Sequence, residues 1–119
     1  MRIGEVSAKS GVSVRSLRYY EEQGLLASTR SASGQRQYGD DAIERVAFIQ
    51  RMFTAGLSSR TIKDVLPCAD APSERTSDAA AERMAGERDR LSNHIEELLR
   101  TRDSLDELIT INRAHRATL

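Results

Sequence analysis

The segment from Ser13 to Leu26, which reads SVRSLRYYEEQGLL, constrains the fold of this chain more than any other part. A serine at the start of a helix accepts a hydrogen bond from the first turn, and Gly24 suits the left-handed conformation that ends a helix. Apolar residues recur between the two at helical spacing, with Leu17 as the main inward residue. We therefore expect a short amphipathic helix whose remaining face carries Arg15, Arg18, Tyr19 and Tyr20.

A second helical pattern lies directly before this segment, at residues 3–10 (IGEVSAKS), with Ile3, Val6 and Ala8 turned inward. Gly11 ends the pattern, so a short glycine-containing turn joins the two predicted helices. This arrangement is typical of a helix-turn-helix, whose second helix enters the major groove of DNA. Guanidinium groups match phosphates and the guanine edge, and tyrosine hydroxyls can reach the sugar-phosphate backbone. For the second helix taken alone, the alternative is a surface helix whose tyrosines pack on neighbouring elements.

The sequence IGEVSAKSGVSVRSLRYYEEQGLL, followed by SGQRQY, resembles the N-terminal domain of the mercury-resistance-regulator (MerR) family of bacterial transcription regulators. The resemblance extends from about Met1 to Leu66. It implies a mainly α-helical fold, in which a winged helix-turn-helix head with a small β-hairpin wing precedes a long dimerisation helix that pairs as an antiparallel coiled coil. The residues that we predict to contact DNA are Ser13, Val14, Arg15, Arg18, Tyr19, Tyr20, Arg30, Arg36, Tyr38 and Arg60.

The segment ASTRSASGQRQY, at residues 27–38, predicts the wing, because Ser33-Gly34 is a turn signal between two short segments that can pair. In the resembled family this hairpin lies along the DNA backbone, which makes Arg30 and Arg36 phosphate candidates. We expect Tyr38 to anchor one end of the hairpin to the core, since an isolated two-stranded hairpin is only marginally stable.

Two further helices are predicted after the hairpin. Gly39 or Asp40 is the predicted N-cap of the third helix, which carries a buried apolar face. Ser58 or Ser59 is the predicted N-cap of the fourth helix, which is short. The resemblance makes this pair a second wing. Arg60 lies in the first turn of the fourth helix, where it is either a DNA backbone contact or a solvated arginine.

Both prolines of the chain, Pro67 and Pro72, lie in one short segment. This segment indicates a domain boundary, because proline cannot continue a helix interior. We predict a DNA-binding domain at residues 1–68, a hinge at 69–73, a dimerisation helix at 74–113 and a short tail at 114–119.

The predicted dimerisation helix carries apolar residues at alternating spacings of four and three, which is a heptad pattern interrupted by Arg88 and Arg102. The head is too small to cover a helix of this length. We therefore expect a second copy of the chain to bury the apolar stripe. The predicted dimerisation residues are Met84, Leu91, Ile95, Leu98, Leu105 and Ile109.

Charge is distributed unevenly along a chain whose net charge is zero. From Met1 to Cys68, ten Lys and Arg stand against seven Asp and Glu, which gives +3; the remaining residues have eight against eleven, which gives −3. A basic front half and an acidic back half suit a DNA-binding head that is joined to a helix repelled by DNA.

No motif in the sequence indicates catalysis, so we expect neither an enzyme nor a cofactor. Neither His94 nor His115 has the spacing of a metal ligand, and a single cysteine supplies no thiolate set for a soft metal. Cys68 is either an incidental residue of the hinge or a thiol switch. No signal peptide and no apolar run of membrane-spanning length is visible, so we expect a cytoplasmic protein. The family resemblance implies that it is bacterial and associated with the nucleoid through DNA.

Together these patterns favour a sequence-specific transcription regulator that binds double-stranded DNA as a homodimer on an inverted-repeat, pseudo-palindromic operator. The resemblance adds RNA polymerase as a partner at the promoter, and DNA distortion as the mechanism. The alternative is a helical protein-interaction module whose basic head binds a protein rather than DNA.

Overall fold

Six helices and one two-stranded antiparallel hairpin make up the fold, which is mainly α-helical as predicted. The computed structural model describes all residues from Met1 to Leu119. They form two compact units, Met1–Arg83 and Met84–Leu119. The elements in chain order are α1 (Ile3–Ser10), α2 (Val14–Glu22), β1 (Thr29–Arg30), β2 (Arg36–Gln37), α3 (Ala42–Thr54), α4 (Ser59–Val65), α5 (Pro67–Asp70) and α6 (Glu74–Ala117).

The core of the first unit lies where α1 packs against α2 and α3, and α3 packs against α4. Leu17 is fully buried there, which confirms it as the inward residue of α2. Val6 is also fully buried and Ile3 packs against the core, but the prediction that Ala8 faces inward is wrong. Two positions along a helix correspond to a rotation of about 200°, so Ala8 lies opposite Val6 and is exposed.

The ends of α1 and α2 have the predicted geometry of a helix-turn-helix. The hydroxyl of Ser13 accepts a hydrogen bond of 3.1 Å from the backbone N–H of Ser16 at the start of α2. Gly11 and Gly24 follow the two helices with φ values of +74°, in the left-handed region. A side chain at Gly24 would also meet the ammonium group of Lys63, which lies 3.1 Å from the ideal Cβ position.

The hairpin pairs β1 with β2 in an antiparallel register that places Arg30 directly opposite Arg36. Gly34 has a φ value of +81° in the connecting turn, as a non-helical reversal with glycine requires. Beyond β2, the backbones of Tyr38 and Met1 exchange two hydrogen bonds of 2.7 Å and 2.8 Å. The hairpin is therefore fastened to the start of the chain.

The hinge region is more helical than the sequence predicted. Pro67 starts the short helix α5 because a proline at the first helical position loses no intrahelical hydrogen bond. Only residues 71–73 separate α5 from α6. The helix α6 begins at Glu74 as predicted, but its predicted end at Arg113 is wrong, since it continues to Ala117. Basic residues in this last turn interact favourably with the negative end of the helix dipole.

The first turns of α6 belong to the first unit and contact α4. Ala80 is buried, and it is the one buried residue of α6. The guanidinium group of Arg83 lies 3.3 Å from the hydroxyl of Thr61 and 3.6 Å from the carboxylate of Asp64. These contacts hold the start of α6 against the side of α4.

The second unit consists of the rest of α6, and no residue from Met84 onward is buried. Its large apolar side chains are exposed, including every residue predicted for dimerisation. None of the helices in the structure is both long enough and apolar enough to span a lipid bilayer.

Candidate nucleic-acid interface

The exposed face of α2 carries two arginines whose guanidinium groups are held by no hydrogen bond or ion pair. Arg15 and Arg18 are both exposed, one turn apart on this helix. Ser13 is also exposed, while Val14 is half-buried beside it. Leu17 holds the opposite face in the core. The start of α2 thus presents free cationic donors to the surroundings.

The two tyrosines of α2 have different environments. Tyr19 is 44% exposed, whereas Tyr20 is only 5% exposed and stacks on Phe53 with ring centroids 5.5 Å apart. The hydroxyl of Tyr20 also accepts a hydrogen bond from the amide of Gln50. The prediction that Tyr20 contacts DNA is therefore corrected: its ring and its hydroxyl are both used inside the head.

Tyr38 requires the same correction. Its side chain is 2% exposed, and its hydroxyl donates a hydrogen bond of 3.1 Å to Glu21 of α2. Burial, together with this hydrogen bond and the negative charge of Glu21, raises the pKa of Tyr38 above its ordinary value of 10.0. The side chain anchors the hairpin, as its predicted packing role requires, and its burial leaves almost no surface for a contact with DNA.

The carboxylate of Glu21 contacts three side chains and joins α2 to the hairpin. Besides Tyr38, the hydroxyl of Ser28 donates to Oε1 of Glu21, and Nη1 of Arg36 lies 3.4 Å from Oε2. The side chain of Glu21 is 18% exposed, so these contacts are partly shielded from water. The sequence pattern gave Glu21 no functional role, because its partners lie far from it along the chain.

A cationic concavity of about 360 Å³ lies between the start of α1, the face of α2 and the hairpin. The structure brings together here three arginines that the sequence predicted separately, namely Arg18, Arg30 and Arg36. It adds Arg2, which sequence reasoning missed. Arg2 precedes α1 and its side chain does not cap that helix. Its positive charge was therefore the only feature of the sequence that could have indicated a role in this concavity. The remaining lining residues are Ile3 and Gln35.

On its other side, α2 contacts the start of α4. The hydroxyls of Tyr19 and Ser59 lie 3.0 Å apart, and Arg60 follows at an exposed position. Arg60 is therefore not part of the concavity beside the hairpin. The candidate interface consists of α2 in the middle, the hairpin on one side and the start of α4 on the other.

Cys68 lies in α5, outside this interface, and is half-buried. No group of three or more His, Cys, Asp or Glu side chains is placed to hold a metal ion.

Comparison with known proteins identifies the class of the chain. The family model described as "MerR HTH family regulatory protein" matches residues 1–68, and the model described as "MerR, DNA binding" matches residues 43–108. The HTH-type transcriptional activator SoxR homolog of Chromobacterium violaceum is 38% identical over 109 residues, which cover 90% of this chain and 72% of that relative.

Solved structures agree with this class. A putative MerR family transcriptional regulator from Listeria monocytogenes has a TM-score of 0.61 and 36% identity, over 92% of this chain and 83% of that one. HiNmlR, a MerR family regulator lacking the sensor domain, was solved bound to promoter DNA. It shares the fold with a TM-score of 0.58 and 23% identity, over 98% of this chain and 92% of its own.

The chain belongs to the MerR family of transcription regulators. It is a DNA-binding regulator of transcription and not an enzyme.

Proposed function

We propose that this regulator acts as a homodimer on an inverted-repeat operator within a promoter, and that it works by distorting the DNA. The observation that carries the proposal is the apolar stripe of α6. Met84, Leu91 and Ile95 are 37%, 57% and 48% exposed, and Leu98, Leu105 and Ile109 are 54%, 55% and 46% exposed. An exposed row of large apolar side chains marks an interaction site on a protein surface.

A second α6 is the partner that fits this stripe. The residues recur at heptad spacing, so each can insert between side chains of a facing helix. Full burial of a leucine or isoleucine side chain contributes about 1.5–3 kcal/mol. We propose that the two helices run antiparallel, which places one head at each end of the pair.

In this proposal the parts of the interface have different tasks. Arg15 and Arg18 face the major groove or its edge, with Ser13, Val14 and Tyr19 beside them at the groove or the backbone. Arg30 and Arg36 bind phosphates from the hairpin, and Arg60 binds a phosphate from α4. Side chains that reach base edges specify sequence, whereas phosphate contacts set position and affinity.

Two heads joined by one helix pair bind two half-sites at a fixed separation, so a two-fold dimer requires an inverted repeat. We propose that the dimer bends and untwists a promoter so that RNA polymerase can use both of its elements. Elastic estimates for bending such a site are of order 1–6 kcal/mol. A change in the angle between head and helix can determine whether the free energy of binding is sufficient to bend the DNA. The site of action is the bacterial cytoplasm, on nucleoid DNA.

The domain division that accompanies this proposal is a DNA-binding domain at residues 1–68, a hinge at 69–73, and a dimerisation helix that starts at residue 74. Cys68 is the candidate thiol switch, because it is the one cysteine and directly precedes the proposed hinge.

A selection for tight binding from random duplexes tests the proposal. We expect the recovered sequences to share an inverted repeat, and we expect the complex to contain two chains by sedimentation. Affinity should fall steeply with salt, because each neutralised phosphate contributes about 0.9 to the logarithmic slope. If no duplex is bound more tightly than competitor DNA, or if the recovered sites are single half-sites bound by one chain, the proposal is wrong.

A further inference from the structure

We infer that the concavity between α1, α2 and the hairpin is a binding site for one DNA phosphate, and that Arg2 is one of its ligands. This inference deepens the proposed function, because it rests on the proposed phosphate roles of Arg30 and Arg36. It goes further in assigning Arg2, in assigning Arg18 at the edge of the groove to a phosphate, and in assigning four arginines to one phosphodiester group rather than to separate phosphates along the backbone.

The first supporting observation is the convergence of like charges. Arg2, Arg18, Arg30 and Arg36 come from three different parts of the chain and line a single concavity of about 360 Å³. Like charges held close together repel each other, and a bound anion relieves this repulsion. Guanidinium groups match phosphate oxygens with paired donors.

The register of the hairpin makes the same point independently. Arg30 and Arg36 are directly paired across the two strands. Like charges at directly opposite positions destabilise a strand pair, and this pair has only two residues in each strand. An anion bound between the two side chains attracts both guanidinium groups and offsets their mutual repulsion.

The protein itself pairs only one of the four arginines in the concavity with a carboxylate, namely Arg36 with Glu21. Glu21 is the one carboxylate paired with any of the four arginines, and it already receives donors from Ser28 and Tyr38 as well as Arg36. Arg30 donates to the carbonyl oxygen of Gly34 and has no acidic partner. The side chains of Arg2 and Arg18 have neither a hydrogen bond nor an ion pair.

The lining also indicates which kind of anion fits. It contains no aromatic side chain on which a base could stack, and the remaining residues are Ile3 and Gln35. The site is open to solvent and adjoins the exposed face of α2. These features suit a backbone phosphodiester that passes between α2 and the hairpin, rather than a free nucleotide.

The test uses the full-length protein and the inverted-repeat duplex recovered by selection. Each phosphate is replaced in turn by an uncharged methylphosphonate, and affinity is measured for the wild type and for Arg2→Ala and Arg30→Ala. Arg2→Ala should weaken binding to the unmodified duplex about a hundredfold, because each of the two chains loses one charge-assisted contact and each loss contributes about tenfold. One phosphate in each half-site should account for this loss.

At that phosphate, neutralisation should weaken wild-type binding by a larger factor than it weakens binding by either variant, because each variant has already lost one of the four arginine contacts to it. At every other phosphate, neutralisation should affect the wild type and the two variants by the same factor. Lys9→Ala is the matched control, since Lys9 lies on α1 but pairs with Glu5 at 3.2 Å and does not line the concavity. It should retain the wild-type profile. Equal melting temperatures would exclude a folding defect.

The inference is overturned if Arg2→Ala binds the duplex as tightly as the wild type, or if Arg2 and Arg30 map to different phosphates. Either result leaves the proposed homodimer on an inverted repeat intact. Failure of the wild type to select any duplex would instead contradict the proposed function.

Discussion

The hydroxyl of Tyr38 donates a 3.1 Å hydrogen bond to Glu21, and this contact joins the end of the hairpin to α2. Glu21 lies near the end of α2, and Tyr38 follows β2 and is fastened to Met1 by two backbone hydrogen bonds. The spacing between α2 and the hairpin therefore depends on a side-chain contact as well as on the chain that connects them.

Removing the hydroxyl of Tyr38 should loosen this junction. Tyr38→Phe keeps the buried ring but deletes the donor to Glu21, so we expect the free energy of unfolding to fall by about 1 kcal/mol. The measurement is the midpoint of urea unfolding. Tyr19→Phe is the matched control, because its hydroxyl contacts Ser59 at an exposed position, where the loss should be smaller. Equal losses in the two variants would contradict the role of Tyr38.

The raised pKa of Tyr38 predicts a specific dependence of stability on pH. Because its folded-state pKa lies above the ordinary value of 10.0, Tyr38 stabilises the fold below pH 10.0. This contribution is lost as the pH rises from that value through the folded-state pKa. The difference in stability between wild type and Tyr38→Phe should therefore shrink in alkaline buffer. A difference that stays constant through this range would show that burial does not disfavour the phenolate.

Arg15 and Arg36 should differ in what they contribute to DNA binding. Arg15→Ala should relax the sequence preference, because Arg15 is proposed to face the major groove. Arg36→Ala should weaken binding to all duplexes by a similar factor and make affinity less dependent on salt, because each chain of the dimer loses one phosphate contact. Competition between selected and random duplexes measures both effects. The reverse pattern would exchange the two roles.

A charge in the apolar stripe should abolish the dimer. Leu98→Asp places a carboxylate in the proposed seam, where burial without a partner is costly, so we expect monomers by sedimentation. Ser104→Asp introduces the same residue on the opposite side of α6 and should leave the dimer intact. If Leu98→Asp remains dimeric, the interface lies on another face of the helix.

Oxidation tests the role of Cys68. The wild type and Cys68→Ser are footprinted on the selected operator before and after treatment with hydrogen peroxide, which converts a reactive thiolate to a sulfenic acid. If Cys68 is a thiol switch, oxidant should change the wild-type footprint and leave that of the variant unchanged. If neither footprint responds, Cys68 is incidental to the signal.

Local signals predicted most of the head. The Ser13 cap, the left-handed glycines at positions 11 and 24, and the inward position of Leu17 all depend on residues a few positions apart, and all are confirmed. The turn at Gly34 is also a local feature, because the serine and glycine at positions 33 and 34 predict its left-handed conformation.

Features that depend on distant residues were harder to predict. The hydroxyls of Tyr20 and Tyr38 could each reach a DNA backbone. In the fold, however, Tyr20 accepts a hydrogen bond from Gln50 and Tyr38 donates one to Glu21. These partners are distant in the sequence, so only the folded structure reveals them. Arg2 joins the cationic concavity for the same reason. The end of α6 was misplaced because no glycine or proline follows Arg113, so no residue there opposes further helix.

Ala80 is the one buried residue of α6, so the long exposed part of this helix can change in sequence without altering the core of the head. The residues that fold the head and those that would select a partner chain form two separate sets, and substitutions in one set do not disturb the packing of the other. A duplicated gene could therefore acquire a new pairing preference through changes beyond Arg83 alone. Two regulators that read the same operator could then stop exchanging subunits without any change in their heads.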